Sequence, residues 1–337
     1  MAFWAPFCGT MNRGKNKMSD EIIIGLDTSN YRTSVAAVTT DGCVLMDWRE
    51  LLPVPAGEKG LRQNDAVFAH TRQIRKCEDQ LRSVCASGTV AAVAASISPR
   101  DGDASYMPAF QVGQSLGMMM AAAMGVPFYA TTHQRGHLAA AAQGTELEYS
   151  KSYLAVHLSG GTTDLLEVSE DKVIHLGGSL DLHAGQLVDR IGVALGLPFP
   201  SGEALEKLAE YGETHGLLGA SMEQTDLCCH FSGAETKAQI WIREGSMSPE
   251  NVAREIYDLF SRTFLRLLTA GMKKTGIHDA LLTGGVASSS LLRQMMTERS
   301  RRIPECPNLV FGNSERCGDN AVGVALIGAN RWKSDRL

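Results

Sequence analysis

Nowhere do about 18 apolar residues run together in this 337-residue chain, so no segment is long enough to cross a bilayer as a helix. There is no CxxC pair. The 8 cysteines have no paired spacing beyond the adjacent Cys228 and Cys229, which excludes a zinc ribbon and a disulfide scaffold and reads as reduced thiols of a cytoplasmic protein. Strong charge is missing too: a net charge of -5 gives no global sign of nucleic-acid or anionic-membrane binding. The local basic stretches "RQIRK" (Arg72 to Lys76), with Arg82 nearby, and "RSRR" (Arg299 to Arg302) read as solvated helix faces. Neither GxxxxGK[ST] nor GxGxxG occurs, which removes the P-loop and Rossmann nucleotide sites. The opening "MAFWAPFCGTMNRGKNK" lacks a charged start, and its apolar run is too short for a signal peptide. Residues 1–18 therefore read as a disordered extension, upstream of a start at Met18.

What is present suits an α/β protein of one large or two medium domains, with 44% hydrophobic residues and 34 glycines. "IIIGLD", "TSVAAVT" and "CVLMDW", separated by the polar turns "TSNYR" and "TDG", predict a three-stranded meander. From Tyr153 the same order returns as "YLAVHL", "DLLEVS" and "VIHLGGS", split by "SGGTT" and "EDK", and an internal duplication is the simplest account. Helices are expected over Asn64 to Ala86 and Pro108 to Gly125, with "VAAVAASIS" as a buried strand between them. Further helices are expected at "LHAGQLVDRIGVALGL", "GEALEKLAEYG" and Asn251 to Gly276, the last ending on lysines and a glycine. "DALLTGG" and "NLVFGN" read as late strands and "CGDNAVGVALIGANRW" as the opening of a final helix. The run Met118, Met119, Met120 is assigned to the core. These elements divide into residues 19–145 as a first lobe, to which 319–337 returns, and 151–318 as a second. The crossover is placed at Gly144 to Ser150.

Three turns after apolar strands are rich in glycine and hydroxyls: Asp27 to Ser34, Leu158 to Asp164 and Leu282 to Ser290. Glycine lets backbone N–H groups reach phosphate oxygens, and Ser and Thr add donors. A single Gly-Gly turn is as well explained by a tight hairpin. Three such loops in a duplicated chain point instead to a nucleotide held in a cleft between two lobes. The expected fold is thus the actin-like, sugar-kinase-like ATPase architecture. In "TTHQRGHLAA", His133 and His137 stand four residues apart on the first turn of an alanine-rich helix, where two imidazoles share a face and can converge on one ion. Two ligands alone do not make a metal site, since helix surfaces carry chance pairs of this kind.

The ordered set "IGLDTS", "HQRGH", "LSGGTTDL", "AGQLVDRIGVALGLPFPSG", "FSG", "LLTGGVASSSLLR" and "CGDNAVGVA" resembles the TsaD family from Ile22 to about Trp332. That family transfers threonylcarbamoyl to the adenosine beside the anticodon of tRNA, and was formerly described as O-sialoglycoprotein endopeptidase. The resemblance implies one divalent metal, iron or zinc, held by His133, His137 and Asp319. It implies ATP or an adenylate, with magnesium as a further cofactor, bound by Leu158, Ser159, Gly160, Gly161, Thr162, Asp189, Gly202, Gly284, Gly285 and Ser289. Asp27, Thr28 and Ser29 are a candidate phosphate loop. The implied partners are tRNA, a paralogous actin-like subunit and a small ATPase, with no membrane.

The chain also departs from the family pattern. Arg135 stands where the family has a glutamate, Thr162 where it has a histidine after SGG, and Tyr31 and Arg32 where it has two carboxylates. Ser289 replaces an asparagine, and "SPRDGDASYMP" replaces a "GPG" turn. Arg32, Arg100 and Arg135 are thus candidates to pair with phosphate or carboxylate, the plain alternative being an exposed or intramolecularly paired arginine. Two functions follow: a metal- and adenylate-dependent transferase acting on tRNA, or a diverged paralogue that binds adenine nucleotide and docks or regulates a partner. Peptide hydrolysis is disfavoured, because Gln134 occupies the general-base position of an HExxH helix.

Overall fold

The structure, a computed structural model, describes residues 20–54, 61–102, 105–148, 150–169, 172–223, 227–316, 318 and 320–337. The extension expected over residues 1–18 and the proposed ligand Asp319 lie outside these. The chain forms two compact units, Met1–Ala140 with Gly318–Leu337, and Ala141–Cys317. The boundary falls at Ala140, ahead of the expected crossover.

Unit 1 contains β1 (Asp20–Thr28), β2 (Arg32–Thr39), β3 (Val44–Leu51), α1 (Gln63–Gln73), α2 (Glu78–Ser87), β4 (Gly88–Ser98), α3 (Phe110–Met124), β5 (Phe128–Thr132) and most of α4 (His133–Ala142). Its sheet runs β3-β2-β1-β4-β5. The first three strands form the antiparallel meander that alternating apolar runs and polar turns predict, and β1, β4 and β5 are parallel. Ile22, Ile24 and Leu26 pack on one face of β1 and Ile23 on the other, so both faces of the sheet are covered and the strand reads as continuous hydrophobic sequence. The single helix expected over Asn64 to Ala86 is two, parted by a 3-10 turn at Ile74–Cys77. Of the methionine run only Met120 packs against the core; Met118 and Met119 are exposed, because α3 turns Gly113, Gly117 and Ala121 toward the sheet. Small residues permit that close approach, and the bulky ones are left outside.

Unit 2 contains β6 (Ser152–Leu158), β7 (Thr163–Ser169), β8 (Val173–Ser179), α5 (Ala184–Ala194), α6 (Gly202–Ala209), β9 (Ser221–Glu223), β10 (Cys228–His230), α7 (Ser232–Glu244), α8 (Pro249–Thr275), β11 (Asp279–Thr283), α9 (Ser290–Ser300) and β12 (Asn308–Phe311). Its sheet order is β12-β11-β6-β7-β8-β10-β9. The portion β8-β7-β6-β11-β12 repeats the unit 1 order strand for strand, with β6, β11 and β12 parallel. The duplication seen in the sequence is therefore one of topology, and β10 and β9 are an addition at one edge. The buried α8 carries Phe260 and Phe264, which meet Phe231 in an aromatic cluster. It starts as its sequence dictates, with Ser248 capping the Asn251 N–H and Pro249 in the first turn.

The last helix, α10 (Val322–Ser334), belongs to unit 1 and packs on β1 and β4. A Cβ at Gly323 would lie 1.8 Å from the Gly136 carbonyl oxygen of α4. Only glycine allows these two helices to touch backbone to backbone, and this contact fixes the start of α10 beside the histidine helix.

Candidate functional site

In unit 1, the carboxyl ends of the parallel strands β1, β4 and β5 carry Asp27, Ser96 and the start of α4, the position where open α/β sheets place ligands. The register that sets Leu26 beside Ala95 brings Asp27 next to Ser96. Asp27 is fully buried, and its carboxylate accepts a hydrogen bond from the Ser96 hydroxyl. It also faces His133 Nδ1 at 2.9 and 3.1 Å. A carboxylate that accepts here pairs with a protonated Nδ1, and in a neutral ring that arrangement leaves the Nε2 lone pair for a ligand. That Nε2 lies 3.0 Å from His137 Nε2, with the rings 86° apart. Phe110, on the first turn of α3, closes the side of the His133 ring at 5.9 Å between centroids.

Two nitrogens bound to one ion at about 2.0–2.1 Å stand about 2.9–3.4 Å apart for octahedral to tetrahedral angles. The histidine pair fits that spacing, and its imidazole donors suit zinc or iron. Among the described residues no third His, Cys, Asp or Glu completes a three-ligand cluster. Asp319 lies outside the described residues.

The phosphate-loop role expected of Asp27, Thr28 and Ser29 does not match their surroundings. All three are buried. Thr28 Oγ1 donates to the Ala109 carbonyl and accepts from the Gly113 N–H, tying β1 to the start of α3. The Ser29 carbonyl accepts from His70 Nε2, while His70 Nδ1 lies 2.8 Å from Thr33 Oγ1. Burial is the main cause that pushes the His70 pKa below its ordinary value. Arg135 is likewise committed: its Nε and Nη2 grip the Asp101 carboxylate at 2.6–3.0 Å. Thr132 Oγ1 adds a contact to Asp101 at 3.3 Å. Arg135 and Asp101 come from the two stretches, the histidine helix and the loop before α3, that the sequence marked out, and they meet as one ion pair. Arg100 lies exposed in the same loop.

In unit 2 the turn between β6 and β7 is open. Gly160 and Gly161 are exposed, with nothing within 4 Å of where a Cβ would stand. Ser159 shapes the turn: its Oγ accepts from the Gly161 and Thr162 N–H groups and pairs with Thr162 Oγ1 at 2.6 Å. Thr162 is thus part of the turn's own bonding. The N-terminus of α5 abuts this turn, since a Cβ on Gly185 would come 2.6 Å from Gly160 N. Gly284 seats the third loop against the backbone of Leu158 with a φ of +99°, and Gly285 beside it is exposed. Three elements expected to hold an adenylate therefore converge within one unit.

Further along α5, Asp189 Oδ1 accepts from the Ser201 N–H at 2.8 Å and so holds the loop that leads into Gly202. Asp189, Arg190, Val193, Ala194, Phe199, Glu235 and Gln239 line a pocket of about 420 Å³. Ser289, expected at the ligand, caps α9 by accepting from the Leu292 N–H and is 7% exposed. Asp181, absent from the sequence-based site, holds the FSG stretch by accepting from the Phe231 and Ser232 N–H groups. Burial works against its charge. Hydrogen bonds from Ser232, Phe231 and Leu182 outweigh that and hold its carboxyl well below the usual range.

Comparison with known proteins agrees with this construction. The family model for TsaD, tRNA N6-adenosine threonylcarbamoyltransferase, matches residues 105–326. A relative of that name from Caulobacter vibrioides is 30% identical, covering 94% of this chain and 88% of its own. One from Streptococcus suis is 26% identical over 95% of each. Among solved structures, HypF of T. kodakarensis superposes with a TM-score of 0.61 at 13% identity, over 94% of this chain; the chain spans 48% of that protein. The (R)-2-hydroxyglutaryl-CoA dehydratase component A of Acidaminococcus fermentans gives 0.51 at 13% identity, over 93% of this chain and 99% of its own. The fold is the actin-like ATPase fold that the repeated meanders led us to expect. With its motifs in order along nearly the whole length of such relatives, the chain belongs to the TsaD family of tRNA N6-adenosine threonylcarbamoyltransferases.

Proposed function

We propose that this protein transfers a threonylcarbamoyl group from its adenylate to the adenosine beside the anticodon of tRNA. The observation that carries the reading is the His133–His137 pair, with ε-nitrogens 3.0 Å apart and one ring oriented by a buried carboxylate, in a chain of this family. His133, His137 and Asp319 would hold one divalent iron or zinc ion, which supplies a Lewis acid and a template for the carbamoyl and phosphate oxygens. In the transfer, the adenosine N6 forms a bond to the carbamoyl carbon and gives up one proton to water, and the bond from that carbon to the phosphate oxygen breaks. The leaving AMP gains negative charge. The exposed Gly160–Gly161 turn and the positive end of the α5 dipole beside it would stabilise that charge. Asp189, with Gly202 and Gly285, is assigned to the nucleoside end of the adenylate, and magnesium accompanies ATP where ATP binds. A paralogous actin-like subunit and a small ATPase are the proposed partners, and tRNA is the acceptor. Among the described residues no helix is long and apolar enough to cross a membrane.

The alternative, a nucleotide-binding regulatory module, draws on the substituted residues. Its strongest support weakens once Arg135 is held by Asp101, because the pair accounts for the arginine without a change of ligand. The test is a transfer assay with a threonylcarbamoyl-adenylate generator, tRNA and candidate partner subunits, run on wild type and His133→Ala. Product from the wild type alone supports transfer. Absence of product with every partner set contradicts it and favours the module.

A further inference from the structure

Asp27 sits one residue before the end of β1, in a turn that the sequence reads as phosphate-binding, yet its carboxylate is wholly enclosed. The groups that enclose it come from far along the chain, Ser96 at a separation of 69 residues and His133 at 106. A carboxylate removed from water is retained only where donors satisfy it, and among the described residues these are the Ser96 hydroxyl and the His133 imidazole. We propose that Asp27, keyed by Ser96, is the positioning residue for His133: it fixes the Nδ1-protonated tautomer and turns Nε2 toward His137. The proposal rests on the metal reading given above and adds to it a role for two residues that touch no ligand themselves.

The geometry supports this in three ways. Both Asp27 oxygens lie within 3.1 Å of Nδ1, so the ring is held from its δ side whatever small rotation the carboxylate makes. The Ser96 hydroxyl donates to Oδ1, so the carboxylate is itself oriented. The Phe110 ring, also buried, limits rotation of the imidazole about its Cβ–Cγ bond. A histidine that donates one ring N–H to a carboxylate presents the other nitrogen as a more basic ligand in a fixed direction.

The test uses the full-length protein with zinc as the probe. Stripped wild type, Asp27→Asn, Ser96→Ala and His133→Ala are titrated with zinc against a competing chelator. Asp27→Asn is expected to bind about 10- to 100-fold more weakly, the usual cost of losing such a partner, Ser96→Ala to show a smaller loss in the same direction, and His133→Ala to lose the site. A second readout needs no metal: long-range proton–nitrogen spectra of the stripped protein in mildly alkaline buffer, with His133 identified by its absence in His133→Ala. The wild type should show the Nδ1-protonated tautomer, and Asp27→Asn a shift toward the Nε2-protonated form. An Nε2-protonated His133 in the wild type, or wild-type zinc affinity in Asp27→Asn, overturns the proposal. If wild type and His133→Ala bind zinc alike, the metal reading fails, and the tautomer comparison decides the positioning role by itself. Should Asp27→Asn not fold, Ser96→Ala takes its place, and a variant identical to wild type in both readouts overturns the role of the Ser96–Asp27 pair.

Discussion

The end of the first strand of unit 1, running into its turn, and the turn after the first strand of unit 2 occupy adjoining positions in the repeated topology, and they carry different kinds of group. In unit 1, Asp27, Thr28 and Ser29 are buried and their side chains reach β4, α3, α4 and the neighbouring backbone. In unit 2, Gly160 and Gly161 are exposed and offer only backbone. A duplicated hairpin thus yields two kinds of site. Where the strand end carries a carboxylate it faces a neighbouring imidazole; where the turn carries glycines it stays open on its outer side.

Substitutions can break or sharpen that contrast. The largest effects are expected at the glycines that let backbones touch. Gly284→Ala would set a Cβ 2.2 Å from the Leu158 carbonyl oxygen at a φ of +99°, and Gly323→Ala would set one 1.8 Å from the Gly136 carbonyl oxygen. Each should lose about 3–4 kcal/mol in denaturant unfolding. Adenylate binding should fall with Gly284→Ala and metal binding with Gly323→Ala.

Asp27→Ala comes next. It strands the Ser96 hydroxyl and the His133 Nδ1–H in a buried place, at a cost of about 2–4 kcal/mol by the same measurement. Asp181→Asn should cost about 1 kcal/mol at neutral pH, as the loss of a helix-capping carboxylate does. Its folded-state pKa is depressed, so the stability it contributes is present above the ordinary carboxylate range and disappears as pH falls through and below it. Unfolding curves of wild type and Asp181→Asn should therefore converge in acid.

The smallest effect on stability is expected at the open turn itself. Gly160→Ala meets no atom, so unfolding should shift by less than about 0.5 kcal/mol. Calorimetry with ATP should nonetheless show binding weakened, because a methyl group then stands where a phosphate oxygen approaches. A stability loss at Gly160 comparable to that at Asp27 would erase the contrast between the two positions.

Local pattern carried much of this architecture. Both meanders are readable because apolar runs and polar turns alternate within segments of about 25 residues, where neighbours in sequence are neighbours in space. Helices α7 and α9 are not legible in that way: their buried faces are short and their exposed faces mix charge with apolar residues, as in "SGAETKAQIWIRE". The exposed Met118 and Met119 show the limit of composition, since hydrophobicity does not say which face a glycine-rich helix turns inward. The candidate site was legible as residue types in order, while the role of Asp27 was not. Its partners are 69 and 106 residues away, and the parallel registers of β1 with β4 and of β4 with β5 bring them together. The Arg135–Asp101 pair, 34 residues apart, was hidden for the same reason.

The most direct test of the metal reading is metal analysis of the purified protein beside His133→Ala and His137→Ala. About one zinc or iron per wild-type chain is predicted, and close to none in either variant. Unchanged metal content in His137→Ala would contradict it.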